Sequence, residues 1–238
     1  MHIVDSAIII RTFPVKSNQN VVKLLTRSHG IQTAYLSAGT KKKSVKNAVL
    51  QPLSLCQVTL NKNKNSSLLN LKEARIDIPF INIQLDIVKS TIVLFLADFL
   101  DHVLLEDHEE VGFDFLQKAL QILNEIELGK SVYHLAFLVK MMQWLGIQPS
   151  LKKDKNHYLN IKEGVFESSS PNHPYYFSKS ETQLFAYFVQ SEWTQLSEVR
   201  LTKEERGSFL NNIILYYTFH IPGFKKPQSL SILEEVFS

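Results

Sequence analysis

Residues 53–76 read LSLCQVTLNKNKNSSLLNLKEARI. Leu53, Leu55, Gln57 and Thr59 alternate with Cys56, Val58 and Leu60, the period of two that marks a strand with one face turned inward. The polar run KNKNSS at 62–67 reads as a hairpin turn, and LLNLKEARI at 68–76 as the returning strand. Pro79 follows almost at once, and beyond it the apolar spacing becomes helical. This hairpin is therefore the last piece of a β-region, and the chain changes character just after it.

Upstream the same signals repeat. AIIIRTF (7–13) is short and β-branched, VVKLLT (21–26) follows PVKSNQN, and GIQTAYLSAG (30–39) follows the turn-like RSHG. Between the third and fourth strands lies GTKKKSVKNAVLQP (39–52), with four lysines in six positions and no acid. Five short strands in fewer than eighty residues fit a small closed barrel, and the OB-fold is the common five-stranded form. The expected class is α+β: an OB-fold barrel over 1–78, then an all-α domain over 79–238.

In the second part, IQLDIVKSTIVLFLADFLDHVLLED (83–107) predicts a long apolar helix with one break. GFDFLQKALQILNEIE (112–127) puts Phe113, Leu116, Leu120, Leu123 and Ile126 on one stripe, and SVYHLAFLVKMMQWLG (131–146) repeats the pattern up to a capping Gly146. Residues 150–177 lose the helical period and form an irregular insert, with a hairpin signal at YLNIKEGVF. Ser178 with Glu181, and Thr202 with Glu205, have capping-box spacing ahead of two more helices, and KPQSLSILEEVF predicts a short final one.

Composition narrows the function classes. Hydrophobic residues are 45% and charged residues 21%, an ordinary globular balance. The single cysteine, Cys56, excludes an intrachain disulfide and a multi-cysteine zinc site. STIVLFLADFLDHVLL is interrupted by Asp98 and Asp101, so a buried helix is expected there and no membrane partner. MHIVDSAIIIRTF lacks the charge order of a signal peptide, which together with the lone cysteine points to a cytoplasmic protein. The net charge of +3 conceals a split. Residues 1–76 hold twelve lysines and arginines against two acids, a net +10, which leaves −7 for the rest. Such asymmetry suggests an anionic polymer as partner of the first part.

Signals for catalysis are weak. The eight histidines form no HExxH pair, and the glycines form no phosphate-binding loop. His102 and His108 stand among acids, a pattern better read as a solvated helix end than as a metal site. Cys56 lies inside a strand, where a buried, inert thiol is expected. LKEARID and KKDK lack the spaced acid pair of a metal-dependent nuclease. No catalytic residue, cofactor or metal is assigned, and the chain is not expected to be an enzyme.

The stretch AIIIRTFPVKSNQNVVKLLTRSHGIQTAYLSAGTKKKSVKNAVLQPLSL (7–55) resembles the start of the bacterial DNA repair and recombination mediator family RecO. There an arginine-bearing first strand, a V-x-L-L-T strand and turn, a basic loop and an L-Q-P segment come in this order. FDFLQKALQILNEI, LVKMMQWLGIQPSL and GFKKPQSLSILEEVF are similar to the family's helical segments. Many RecO proteins carry a four-cysteine zinc module where this chain has the cysteine-free 150–177 insert, so zinc binding does not carry over. Asp154, His157, Glu163, Glu167 and His173 are the only side chains there with ligand chemistry, and a metal-free insert is expected.

The resemblance implies a non-catalytic mediator that binds single- and double-stranded DNA and anneals complementary strands. It also implies contact with the acidic C-terminal tail of the single-strand-binding protein SSB, and action with RecR to help load RecA at the nucleoid. The residues support the DNA part on their own. Lys41, Lys42, Lys43 and Lys46 are placed to neutralise phosphates, with Arg11, Lys23, Arg27, Lys62 and Lys64 as further cations. His29 and Tyr35 are candidates for stacking on bases. For the SSB tail, apolar helices edged by Lys130, Lys140 and Lys152 are the candidates. The rival readings are a plain OB-fold single-strand-binding module and, more remotely, a metal-dependent nuclease.

Overall fold

A computed structural model describes residues 2–15, 19–36, 47–62, 68–104, 112–151 and 157–237. The chain divides into two compact units, residues 1–124 and 125–238.

In the first unit, β1 (His2–Val15), β2 (Gln19–Thr26), β3 (Gly30–Leu36), β4 (Leu55–Lys62) and β5 (Leu69–Ile78) close a barrel in the order β1-β2-β3-β5-β4. Parallel pairing of β3 with β5 completes the ring, and every other contact is antiparallel. This is the five-stranded OB-type barrel expected from the alternation. Ala7, Ile9, Val22, Leu24, Ala34, Cys56, Val58, Leu60 and Leu71 fill it, so Cys56, Val58 and Leu60 form the inward face of the deciding strand. The Cys56 thiol is fully buried, and burial, helped by the charge of Asp77, pushes its pKa up to about 12. Both disfavour the thiolate, the reactive form of a cysteine.

Among the described residues this unit also holds the α-helices α1 (Ile81–Leu85), α2 (Ile87–Val103) and α3 (Phe113–Glu125), the last reaching one residue past its boundary. The expected break of the long helix falls at Asp86. Its backbone is extended, and its carboxylate accepts hydrogen bonds from the Val88 and Lys89 amides, capping α2. Phe113, Leu116, Leu120 and Leu123 are buried along α3, as the stripe predicts. Lys89 is buried in α2, and its Nζ donates to the Asn124 carbonyl at 2.8 Å, setting a cation at the C-terminal end of α3. Helix α2 packs on β1. That explains the continuous run AIII: residues 7–10 are all buried because β1 is covered on both faces.

In the second unit, α4 (Lys130–Trp144), α5 (Lys179–Gln190), α6 (Lys203–His220) and α7 (Leu230–Val236) accompany a sheet of β6 (Tyr158–Asn160), β7 (Val165–Glu167) and β8 (Tyr176–Phe177). Helix α4 is buried from Val132 to Val139, so it is the central element. It ends as predicted. Gly146 takes φ +68°, and the Gly146 and Ile147 amides bond back to the Gln143 and Met142 carbonyls, closing a Schellman motif. Both capping boxes form, Ser178 with Glu181 and Thr202 with Glu205. Among the described residues no helix is long and apolar enough to cross a membrane.

The insert is more regular than its composition suggests. YLNIKEGVF does form the β6–β7 hairpin, and β8 joins its other edge. Leu159 and Phe177, directly paired across β6 and β8, are fully buried and anchor the sheet in the core.

Candidate nucleic-acid interface

A bulge in β1 creates the first cationic cluster. Register slips between Ile9 and Arg11, so that Arg11 rather than Ile10 lies opposite Lys23. Val22 and Leu24 face the core, so Lys23, and Arg11 beside it, take the outer face. Two cations directly opposite one another repel, and Asp101 of α2 resolves the conflict. Its carboxylate accepts from Arg11 Nη1 at 2.8 Å and from Lys23 Nζ at 3.1 Å, and Lys23 also donates to the Asp101 carbonyl at 2.9 Å. Burial pushes the Asp101 carboxyl up. The hydrogen bonds and charges of Arg11 and Lys23 outweigh that and hold it below the usual carboxylate range.

Arg27 is engaged in the same way. Its guanidinium bonds Asp114 and donates to Gln117 Oε1 at 2.6 Å, and it lies 4.5 Å from the Phe113 ring centre. His29 Nδ1 is 3.2 Å from Asp5, a buried carboxylate that also accepts from the Ser6 and Ser28 amides. Asp5 thus fixes the RSHG turn. Arg11, Lys23, Arg27 and His29 are all held by acids of their own unit, which single-sequence reading missed; only the isolated acids Asp101 and Asp114 in apolar helices hinted at it.

The other side of the barrel differs. Tyr35 of β3 is opposite Asn70 of β5 and half-buried, alternating with the core residue Ala34. Lys62 ends β4 and is exposed. Lys72 and Arg75 of β5, counted in the charge but not nominated from sequence, are exposed as well. Lys72 sits where β5 slips against β4, between the Thr59 and Leu60 pairings, and a bulge there re-aims its side chain. Among the described residues none of these three cations forms an ion pair. Lys41, Lys42, Lys43, Lys46 and Lys64 lie outside the described residues.

For the tail-binding candidates, Lys130 stands 3.5 Å from Glu127. Lys140 Nζ donates to the Ser191 carbonyl at 2.5 Å, and burial lowers its pKa against the opposing charge of Glu192. Lys152 lies outside the described residues. The second unit instead holds a cleft of about 320 Å³ with two cations and two acids in its wall, lined by His134, Lys203, Glu204, Arg206, Gly207, Leu210, Leu233, Glu234 and Phe237. Arg206 Nη2 donates to the Phe237 carbonyl at 3.0 Å, and the Phe237 ring stacks on His134 at 5.1 Å. Burial, and secondarily the Arg206 charge, press the His134 pKa down to about 3, so this ring is neutral.

Metal chemistry finds no frame in the described residues: no group of three or more His, Cys, Asp or Glu side chains is placed to hold an ion. Of the insert's candidates, Glu167 accepts from Asn160 Nδ2 at 2.6 Å and His173 Nδ1 from the Tyr175 backbone amide at 3.2 Å, while Asp154 lies outside the described residues.

Two family models match. Residues 1–80 match the model described as recombination protein O, N terminal, and residues 84–229 match recombination protein O, C terminal. The chain is 33% identical to a protein of Flavobacterium psychrophilum over 243 residues, covering the whole of both chains. It is 34% identical to one of Flavobacterium johnsoniae over 242 residues, again over both full lengths, and 26% to one of Porphyromonas gingivalis over 245. All three carry the name DNA repair protein RecO. With its barrel half and its helical half both matched, the chain belongs to the RecO family.

Proposed function

We propose that the chain is a non-catalytic DNA repair and recombination mediator. It binds single- and double-stranded DNA, anneals complementary strands, contacts the SSB tail and acts with RecR to help load RecA. The observation that carries this reading is the +10 charge of residues 1–76, set on a closed OB-type barrel. Each phosphate neutralised by a lysine releases counterions, which gives affinity without sequence preference. Two strands held by one cationic surface repel each other less, and base pairing then joins them. The DNA path runs over residues 1–78, along the lysine loop and the β3–β5–β4 side, with Tyr35 beside it. Residues 79–238 carry the protein contacts.

For the SSB tail, the Arg206 cleft supplies what an acidic, apolar-ended peptide needs: an apolar floor and a guanidinium at its edge. Lys130 and Lys203 add positive charge on the same unit. The test is a strand-annealing assay in the presence and absence of magnesium, run beside a pulldown with SSB either intact or lacking its last residues. Annealing that needs no metal, with capture only of intact SSB, is the expected result. DNA binding without annealing or SSB capture would leave a plain binding module, and metal-dependent degradation would leave a nuclease.

A further inference from the structure

We propose that the small sheet of the second unit, with the end of α6, is a second nucleic-acid site, one that grips the bases of a single strand. Tyr175 is 36% and Phe219 43% exposed, although both are large rings that a core would normally cover. They meet edge to face at 5.6 Å. Lys162 Nζ lies 4.7 Å from the Tyr175 ring centre, and the His173 ring is 5.9 Å away on the other contact. Partly exposed rings beside an ammonium group are chemistry that suits unpaired bases and the phosphate between them. A duplex offers no such free faces.

The rings are held in place from below. The Asn160 side chain accepts from the Lys162 and Glu163 amides, and the Gly164 amide bonds the Asn160 carbonyl at 2.9 Å, which shapes the hairpin turn. Gly164 takes φ +66°, and a Cβ there would stand 2.9 Å from Tyr216 Oη, so the turn lies directly on α6. His220 Nε2 donates to the Ile161 carbonyl at 2.8 Å, and the Ile161 amide to the Tyr175 carbonyl at 3.0 Å. One hydrogen-bonded chain therefore joins α6 to the hairpin and the hairpin to Tyr175. A platform fixed in advance loses little entropy when it binds.

This rests on the DNA-binding reading but adds a separate site and a separate kind of contact. The test compares the wild-type chain with the double variant Tyr175→Ala/Phe219→Ala, once both show the same thermal melt. Binding to an oligothymidine is measured across a salt series. In parallel, an oligonucleotide carrying 5-iodouracil is photocrosslinked to the wild-type chain and the attachment point mapped. The expected result is a fall in single-strand affinity of at least about tenfold that persists at about 0.5 M salt, with an unchanged salt slope, because stacking releases no counterions. Duplex affinity stays the same, and the crosslink maps to Tyr175 or Phe219. A well-folded variant with wild-type single-strand affinity would overturn the proposal and assign the rings to a protein-binding surface. Failure of the wild-type chain to bind any DNA would remove the broader reading as well.

Discussion

Arg11 and Lys72 are both strand cations beside a bulge in the same barrel, yet they have opposite surroundings. The β1 bulge carries Arg11 to Lys23 and Asp101, where its charge is matched within the unit. The β5 bulge leaves Lys72 exposed and, like Lys62 and Arg75, without an ion pair among the described residues. A net charge counts both alike. The difference is that a phosphate approaching Arg11 must displace a carboxylate that is already bonded, whereas one approaching Lys72 displaces only water and counterions. One side of the barrel is thus joined electrostatically to its helices, and the other is open to an external anion.

The largest effect should come from the lysine loop. Changing Lys41, Lys42, Lys43 and Lys46 together to alanine is expected to lower the single-strand salt slope by up to about 2.8 units, since each neutralised phosphate contributes about 0.7. Affinity should fall alike for every sequence, while the melt stays put. An unchanged slope in a folded variant would reduce the loop to a solvated turn. Next comes the open side. Lys62→Ala, Lys72→Ala and Arg75→Ala combined should remove about 2 units of slope. The matched side supplies the contrast: Arg11→Ala with Lys23→Ala should leave the slope nearly unchanged and lower the melting temperature. If that pair instead reduced the slope as much as the open-side triple, the distinction between the two faces would collapse.

Asp101→Asn isolates the matched side further. It leaves Lys23, whose side chain is only 16% exposed, without its carboxylate. A charge-assisted hydrogen bond of this kind contributes about 1.5–3 kcal/mol, and partial exposure of Arg11 pulls the expected loss to the lower end. Denaturant unfolding should show it as a lower midpoint with unchanged m-value. Asp114→Asn is the comparison on the surface: with the Asp114 side chain 79% exposed, its pair with Arg27 is screened, and the loss should stay below about 1 kcal/mol.

The parts of this molecule that local spacing controls were legible in its sequence. Alternation marked the β4 strand, both capping boxes fell where single residues signal them, and Gly146 closed α4 as its position implies. The pairing of distant charges was not legible. Asp101 meets Arg11 across ninety positions, and it does so only because a bulge at Ile10 turns Arg11 outward. A bulge leaves no mark in an unbroken run such as AIIIR. The insert was misjudged for a related reason: three strands of two or three residues are too short to show a period, and the burial of Leu159 and Phe177 under their outer neighbours, rather than propensity, holds them in register. The Arg206 cleft stayed hidden too, since Arg206 and Phe237 are 31 positions apart and neither is unusual in a helix.

The smallest effect, and the most selective, is in acid. Arg11 and Lys23 hold the Asp101 carboxyl below its ordinary range in the folded chain, against the opposing pull of burial. A carboxyl depressed on folding contributes stability that is fully present above its unfolded pKa of about 3.9, and that stability is lost as pH falls through the lower folded value. Asparagine does not titrate. The stability difference between the wild type and Asp101→Asn should therefore be constant near neutral pH and shrink as the solution is acidified below about pH 4. Chemical unfolding of both chains at a series of pH values measures that difference directly, and other carboxylates cancel between the two curves. A difference that stayed constant down to the acid limit would mean that ionisation of Asp101 adds nothing to stability. The matched side of the barrel would then be held by shape, with Arg11 and Lys23 free to turn toward DNA.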